Sequence, residues 1–97
     1  MTLRSALPFN ALRVIEAVVR SCNYSWAAEE LAITHSAVSQ TVKRMEAQLG
    51  VVLFERKGNG MQPTPAAIEL AQAYASAASD LRASIDNVVS STRSGMN

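Results

Sequence analysis

Thr34, His35, Ser36, Ser39, Gln40 and Lys43 put hydroxyls, an imidazole, a carboxamide and an ammonium within one short stretch. Such groups hydrogen-bond to base edges and to phosphate oxygens, and a carboxamide can bridge N6 and N7 of adenine. Arg44 follows at once, and Arg56 and Lys57 stand just before Gly58-Asn59-Gly60. Lys43, Arg44, Arg56 and Lys57 are therefore the candidate phosphate neutralisers. For Arg44 a plain solvated charge face is the alternative, and for Ser36 and Ser39 ordinary helix surface. Asn23, Ser25 and Trp26 complete the candidate nucleic-acid set. Trp26 can stack on a sugar-phosphate backbone and donate its indole N–H, or be partly buried against a neighbouring helix.

Catalysis needs a nucleophile with a base, paired carboxylates or a metal cluster. The single histidine, His35, has no cysteine or acid at ligand or triad spacing, and one thiol with one imidazole cannot complete a tetrahedral metal site. Neither enzyme activity nor a metal or other cofactor is expected. Gly58-Asn59-Gly60 lacks the longer glycine pattern and following lysine of a phosphate-binding loop, and a tight turn accounts for it. The lone cysteine, Cys22, excludes an internal disulfide; its place on the apolar side of a helical pattern predicts a buried structural thiol and a reducing, cytoplasmic setting.

The 97 residues suffice for one modest core, with 48% of them apolar. A formal net charge of +1 does not by itself announce a polyanionic partner. Its distribution is more telling, because Arg4, Arg13, Arg20, Lys43, Arg44, Arg56 and Lys57 all precede Pro63, whereas only Arg82 and Arg93 follow it. The start of the chain lacks the apolar stretch of a signal peptide, and no run approaches the ~18 apolar residues that span a bilayer. A soluble protein without membrane contact is expected.

The elements that must carry these groups follow from periodicity. Leu12, Ile15, Val18, Val19 and Cys22 recur at helical spacing, which predicts a first helix from Asn10 to about Cys22, with Pro8 and Asn10 supplying entry and capping. Asn23 caps a short second helix whose Ala27, Ala28 and Leu31 face inward. Ala32-Ile33-Thr34 is a turn, with Ile33 placed to plug the core and Thr34 capping a third helix. In that helix Val38, Val42, Met45 and Leu49 form one apolar stripe, and Ser36, Ser39, Gln40 and Lys43 fall on the other face. Gly50 ends it. Val51 to Lys57 is rich in β-formers, and with the glycine-tipped turn and Met61-Gln62-Pro63 it predicts a β-hairpin wing.

Thr64-Pro65 supplies the cap and first residue of a long helix running to about Thr92, roughly 28 residues or about 42 Å. Ala67, Ala71, Tyr74, Ala78, Leu81, Ile85 and Val88 alternate spacings of four and three, a heptad seam that a second copy would bury. Packing on its own domain is the alternative, since small alanines also suit intramolecular contact. The expected organisation is a winged helix-turn-helix over residues 1–63, a dimerising linker helix over 64–93, and a flexible tail over 94–97. The fold class is thus mainly α, with three helices, a small wing and the linker helix.

The order Asn23-Tyr24-Ser25-Trp26-Ala27-Ala28-Glu29-Glu30-Leu31, Ile33-Thr34-His35-Ser36-Ala37-Val38-Ser39 and Leu49-Gly50-Val51-Val52-Leu53-Phe54-Glu55-Arg56 resembles successive signatures of LysR-type transcriptional regulators, as does Thr64-Pro65-Ala66-Ala67. The resemblance covers residues 7 to 92. It implies that the third helix enters the major groove of double-stranded DNA, that the wing flanks it, and that two copies joined through the linker helix read an imperfect inverted repeat. It also implies a further effector-binding domain beyond this chain, where a small molecule would act. His35 stands where glutamine is usual in the family, Ser36 where proline is frequent, Trp26 where a basic or small residue is common, and Ala67 where glycine usually sits. These departures bear on sequence preference. A helical protein-interaction module without DNA binding is the competing function, and steep salt dependence of duplex binding would discriminate against it.

Overall fold

The computed structural model describes residues 7–95 and shows three helices, a two-stranded antiparallel sheet and a long last helix. Helix α1 spans Phe9–Ser21, α2 Tyr24–Leu31 and α3 His35–Leu49; strands β1 (Phe54–Lys57) and β2 (Gly60–Pro63) form the wing, and α4 runs Pro65–Gly95. This is the winged helix-turn-helix with its linker helix. Arg4 lies outside the described residues, as do residues 96–97 of the expected tail; Ser94 and Gly95 continue α4 past the expected end near Thr92.

Local capping sets most boundaries. The Asn23 side chain accepts from the Trp26 N–H at 2.9 Å, and the Thr34 hydroxyl oxygen accepts from the Ala37 N–H at 3.0 Å. Each satisfies a backbone donor that the first helical turn leaves without a partner. Asn10 has no such role: α1 begins at Phe9 behind Pro8, with no side-chain cap. At the other end of α1, Cys22 adopts a left-handed conformation (φ 54°) and its N–H donates to the Val18 carbonyl at 2.7 Å. That turn takes Cys22 out of the helical period, so its thiol is exposed and not buried as expected.

Val14, Ile15, Ala17 and Val18 of α1, Ala27 and Ala28 of α2, and Val38, Val42 and Met45 of α3 meet Leu53, Phe54 and Ala67 in one core. The alanine pair lets α2 approach α1 closely, since a methyl adds little beyond the backbone. Leu31 is only partly buried. Ile33 does not plug the core: with Ala32 left-handed (φ 58°) and the Ile33 N–H donating to the Ala28 carbonyl at 3.0 Å, the turn leaves its side chain exposed.

The wing is shorter on its first strand than β-propensity suggested. Phe54 pairs with Pro63 and Lys57 with Gly60, leaving Gly58-Asn59 as a two-residue turn with Gly58 at φ 58°. Val51 and Val52 lie outside it and are exposed. Their region is held by side chains instead: the Leu53 N–H donates to Glu46 of α3 at 2.7 Å, and the Thr64 hydroxyl donates to the Val52 carbonyl at 2.7 Å. On the other strand the Met61 N–H donates to the Cys22 carbonyl at 2.9 Å. A Cβ on Gly60 would stand 2.6 Å from that carbonyl oxygen, so only glycine lets the wing close onto the end of α1.

Candidate nucleic-acid interface

On α3 the buried stripe Val38, Val42 and Met45 has Ser36, Gln40 and Lys43 opposite it, all exposed, while Ser39 is partly buried toward the flank. Ala47 extends the exposed stripe by one turn, at the spacing of four, three and four that marks one helix face. Its methyl escaped attention in the sequence because alanine carries no polar signal, yet a methyl suits the C5-methyl of thymine. His35 and Thr34 are exposed at the start of α3, where free backbone N–H groups give the positive end of the helix dipole.

Asn23, Ser25, His35 and Arg56 come together with Tyr24 and Asn59 around a polar notch of about 210 Å³ between α2, the start of α3 and the wing. Tyr24 organises it. Its ring meets Phe54 edge-on (centroids 6.3 Å apart, planes at 87°) and tilts against His35 at 5.8 Å. Burial raises the Tyr24 hydroxyl pKa, Glu46 adds to that, and the positive charge of Arg56 opposes it. The hydroxyl therefore stays a neutral donor beside a guanidinium. The oxygen of Asn23 is committed to its cap, so its amide N–H groups are what it offers the notch. Tyr24 was absent from the sequence candidates; an aromatic directly after the cap residue was its only signal.

The cations form two groups on either side of this surface. Arg56 and Lys57 are exposed on β1. Arg44 faces another concavity, of about 390 Å³, with Arg13 and Asn10 of α1 and Thr41 of α3. Sequence reasoning counted Arg13 but gave it no role, because its approach to Arg44 needs two helices to cross. Trp26 does not join the notch. It is 69% exposed, not packed on a neighbouring helix, and stands on the outer face of α2 with Ser25, Glu29 and Glu30. Among the described residues no three His, Cys, Asp or Glu side chains lie together as a metal site would need, and no helix is long and apolar enough to cross a membrane.

The expected dimer seam on α4 divides in two. Ala67 and Ala71 are buried, Ala67 within this chain's own core where α4 packs on α1, so they are not available to a second copy. Their methyl groups face α1 because the first turns of α4 lie against it. Tyr74 and Ala78 are half-buried, and Leu81, Ile85 and Val88 are 54%, 61% and 64% exposed.

A helix-turn-helix with an exposed polar stripe on its second helix, two flanking cation groups and a glycine-tipped wing defines the class of winged helix-turn-helix regulators. The chain belongs to the lysR family of bacterial regulatory helix-turn-helix proteins, whose signature matches residues 9–68. It is 44% identical over 79 residues to the HTH-type transcriptional regulator BlaA of Proteus vulgaris, covering 81% of this chain and 27% of that protein. It is 45% identical over 73 residues to the regulator TrpI of Pseudomonas aeruginosa, covering 75% of this chain and 25% of that one. The chain thus spans about a quarter of the length of these relatives. Among solved structures, a probable transcriptional regulator from Pseudomonas aeruginosa superposes with a TM-score of 0.75 at 42% identity, over 84% of this chain and 27% of that one. The DNA-binding domain of CbnR in its complex with DNA also gives 0.75, at 26% identity, over 89% of this chain and 99% of that one.

Proposed function

We propose that this chain is the double-stranded-DNA-reading part of a bacterial transcriptional regulator and has no catalytic role. The observation that carries this is the exposed Ser36, Gln40, Lys43 and Ala47 stripe of α3, standing opposite the core and flanked by Arg13 with Arg44 on one side and Arg56 with Lys57 on the other. A helix face of this kind fits the major groove, and cations on both sides fit the two phosphate backbones that border it. His35 and Ser36 enter first, Gln40 reads a base edge, and Thr34, Asn23 and Ser25 hold phosphate or sugar oxygens. The solved complex of the CbnR DNA-binding domain with DNA, on the same fold, supports this reading.

One copy brings few cations, and two copies tethered together gain affinity through local concentration. Leu81, Ile85, Val88 and Val89 are exposed on the second half of α4, and in our reading they bind the same residues of a second copy. The pair then spans an inverted repeat in the cytoplasm. A small-molecule response belongs to this reading only if a further C-terminal domain follows the chain.

Selection from a random duplex pool across a salt series tests this. A dimeric reader enriches an inverted repeat, and log K falls with log[salt] by about 0.9 per phosphate neutralised. No enrichment and no salt dependence would leave α4 as a protein-interaction helix alone.

A further inference from the structure

We propose that the outer face of α2, centred on Trp26, docks an arginine-bearing segment of a second protein. Trp26 is 69% exposed, and open concavities flank it on two sides: one of about 410 Å³ shared with Arg20, Ser21, Glu29 and Glu30, the other of about 240 Å³ with Ser25 and Glu29. An exposed indole of this kind is a frequent anchor of protein contacts.

Charge decides the occupant. Arg20 donates to Glu16 at 2.9 Å and to Glu30 at 3.0 Å, so its guanidinium is already neutralised by α1 and α2 carboxylates. Glu29 forms no ion pair among the described residues. Glu16, Glu29 and Glu30 against Arg20, with Arg13 also acting on Glu30, leave the patch a net charge of about −1, centred on the unpaired Glu29, which repels a phosphate backbone and attracts a cation. The patch in fact already holds one guanidinium, its own. A second guanidinium can stack on the indole face while Glu29 accepts its N–H groups, which combines a cation–π contact with a charge-assisted pair. Lysine fits less well, because an ammonium neither stacks nor bonds bidentately. Asn23 fixes the start of α2, and Ala27 and Ala28 bury its opposite face, so the platform is rigid. The surface differs from the α3 stripe and shares only Ser25 with the notch beside it.

Trp26 is the single tryptophan of the chain, so its fluorescence reports on this patch alone. The intact chain is titrated with acetyl-(Arg-Gly)3-amide, with its lysine counterpart, and with a duplex. The expected result is a saturable change in emission with the arginine peptide, about fivefold tighter than with the lysine peptide and weakened about fivefold or more by Glu29→Gln. Equal response to both peptides, or indifference to Glu29→Gln, would overturn the proposal. So would a Trp26→Ala variant that loses duplex affinity as strongly as Arg56→Ala, since the ring would then be a DNA contact. These outcomes leave the reading of the α3 stripe untouched, because its failure shows in the duplex selection.

Discussion

Helices α3 and α4 both carry an apolar stripe at spacings of three and four, but the two stripes have opposite fates. On α3, Val38, Val42 and Met45 are buried by α1, α2 and the residues leading into the wing. On α4, Ala67 and Ala71 are buried, whereas Leu81, Ile85, Val88 and Val89 are exposed. The small residues serve the chain's own core, and the large ones face outward where no other described element reaches. Hydrophobic periodicity states that a face wants cover; it does not state whose surface provides it.

The sharpest test of this contrast is Leu81→Asp with Ile85→Asp. It should leave a folded single chain, seen as a halved mass in sedimentation, and lower duplex affinity about 100-fold or more through loss of tethering. An unchanged mass would move the dimer contact elsewhere. The near half of the same helix should respond in the other way. Ala67→Leu overpacks a site with no free space and should cost about 1–3 kcal/mol in denaturant unfolding, without removing the dimer contact. A neutral result would mean that the α1–α4 contact is looser than its burial implies.

On α3 the two faces can be separated likewise. Gln40→Ala, on the outer face, should leave nonspecific binding intact and flatten preference at one base pair by about 1–3 kcal/mol. Arg56→Ala on the wing should weaken all duplexes alike and reduce the salt slope by about one unit. Equal behaviour of the two variants would contradict the division between base reading and phosphate neutralisation.

The smallest effect belongs to the α1–α2 surface. The hydrogen bond from Arg20 holds the Glu30 carboxyl below the usual carboxylate range. A lowered folded-state value means that its stabilisation is present above the ordinary carboxylate pKa and lost as pH falls through the lowered one. Glu30→Gln should therefore flatten the acid limb of stability against pH. Both side chains are about half exposed (51% and 43%), so the change at neutral pH should stay within a few tenths of a kcal/mol.

Where physics is local, the sequence was legible. The Asn23 and Thr34 caps, the Gly50 stop, the Gly58-Asn59 turn and the Thr64-Pro65 start each depend on a few neighbouring residues, and each stands where the residue types predict. The α3 faces were legible too, because a buried stripe of Val38, Val42 and Met45 dictates what lies opposite. Tyr24 behind His35, Arg13 beside Arg44 and Glu46 under the Leu53 N–H were not, since each pairing joins segments that only folding brings together.

By itself, then, the order of residues determined the helices, the wing turn and the polar face of α3, all consequences of short-range hydrogen bonding and helical period. Tertiary structure alone decided that Cys22 and Ile33 point outward, that Gly60 must lack a side chain against the Cys22 carbonyl, and that the α4 stripe is buried in its first turns and exposed beyond them. Each depends on how closely distant backbones approach, a quantity that spacing along the chain does not contain.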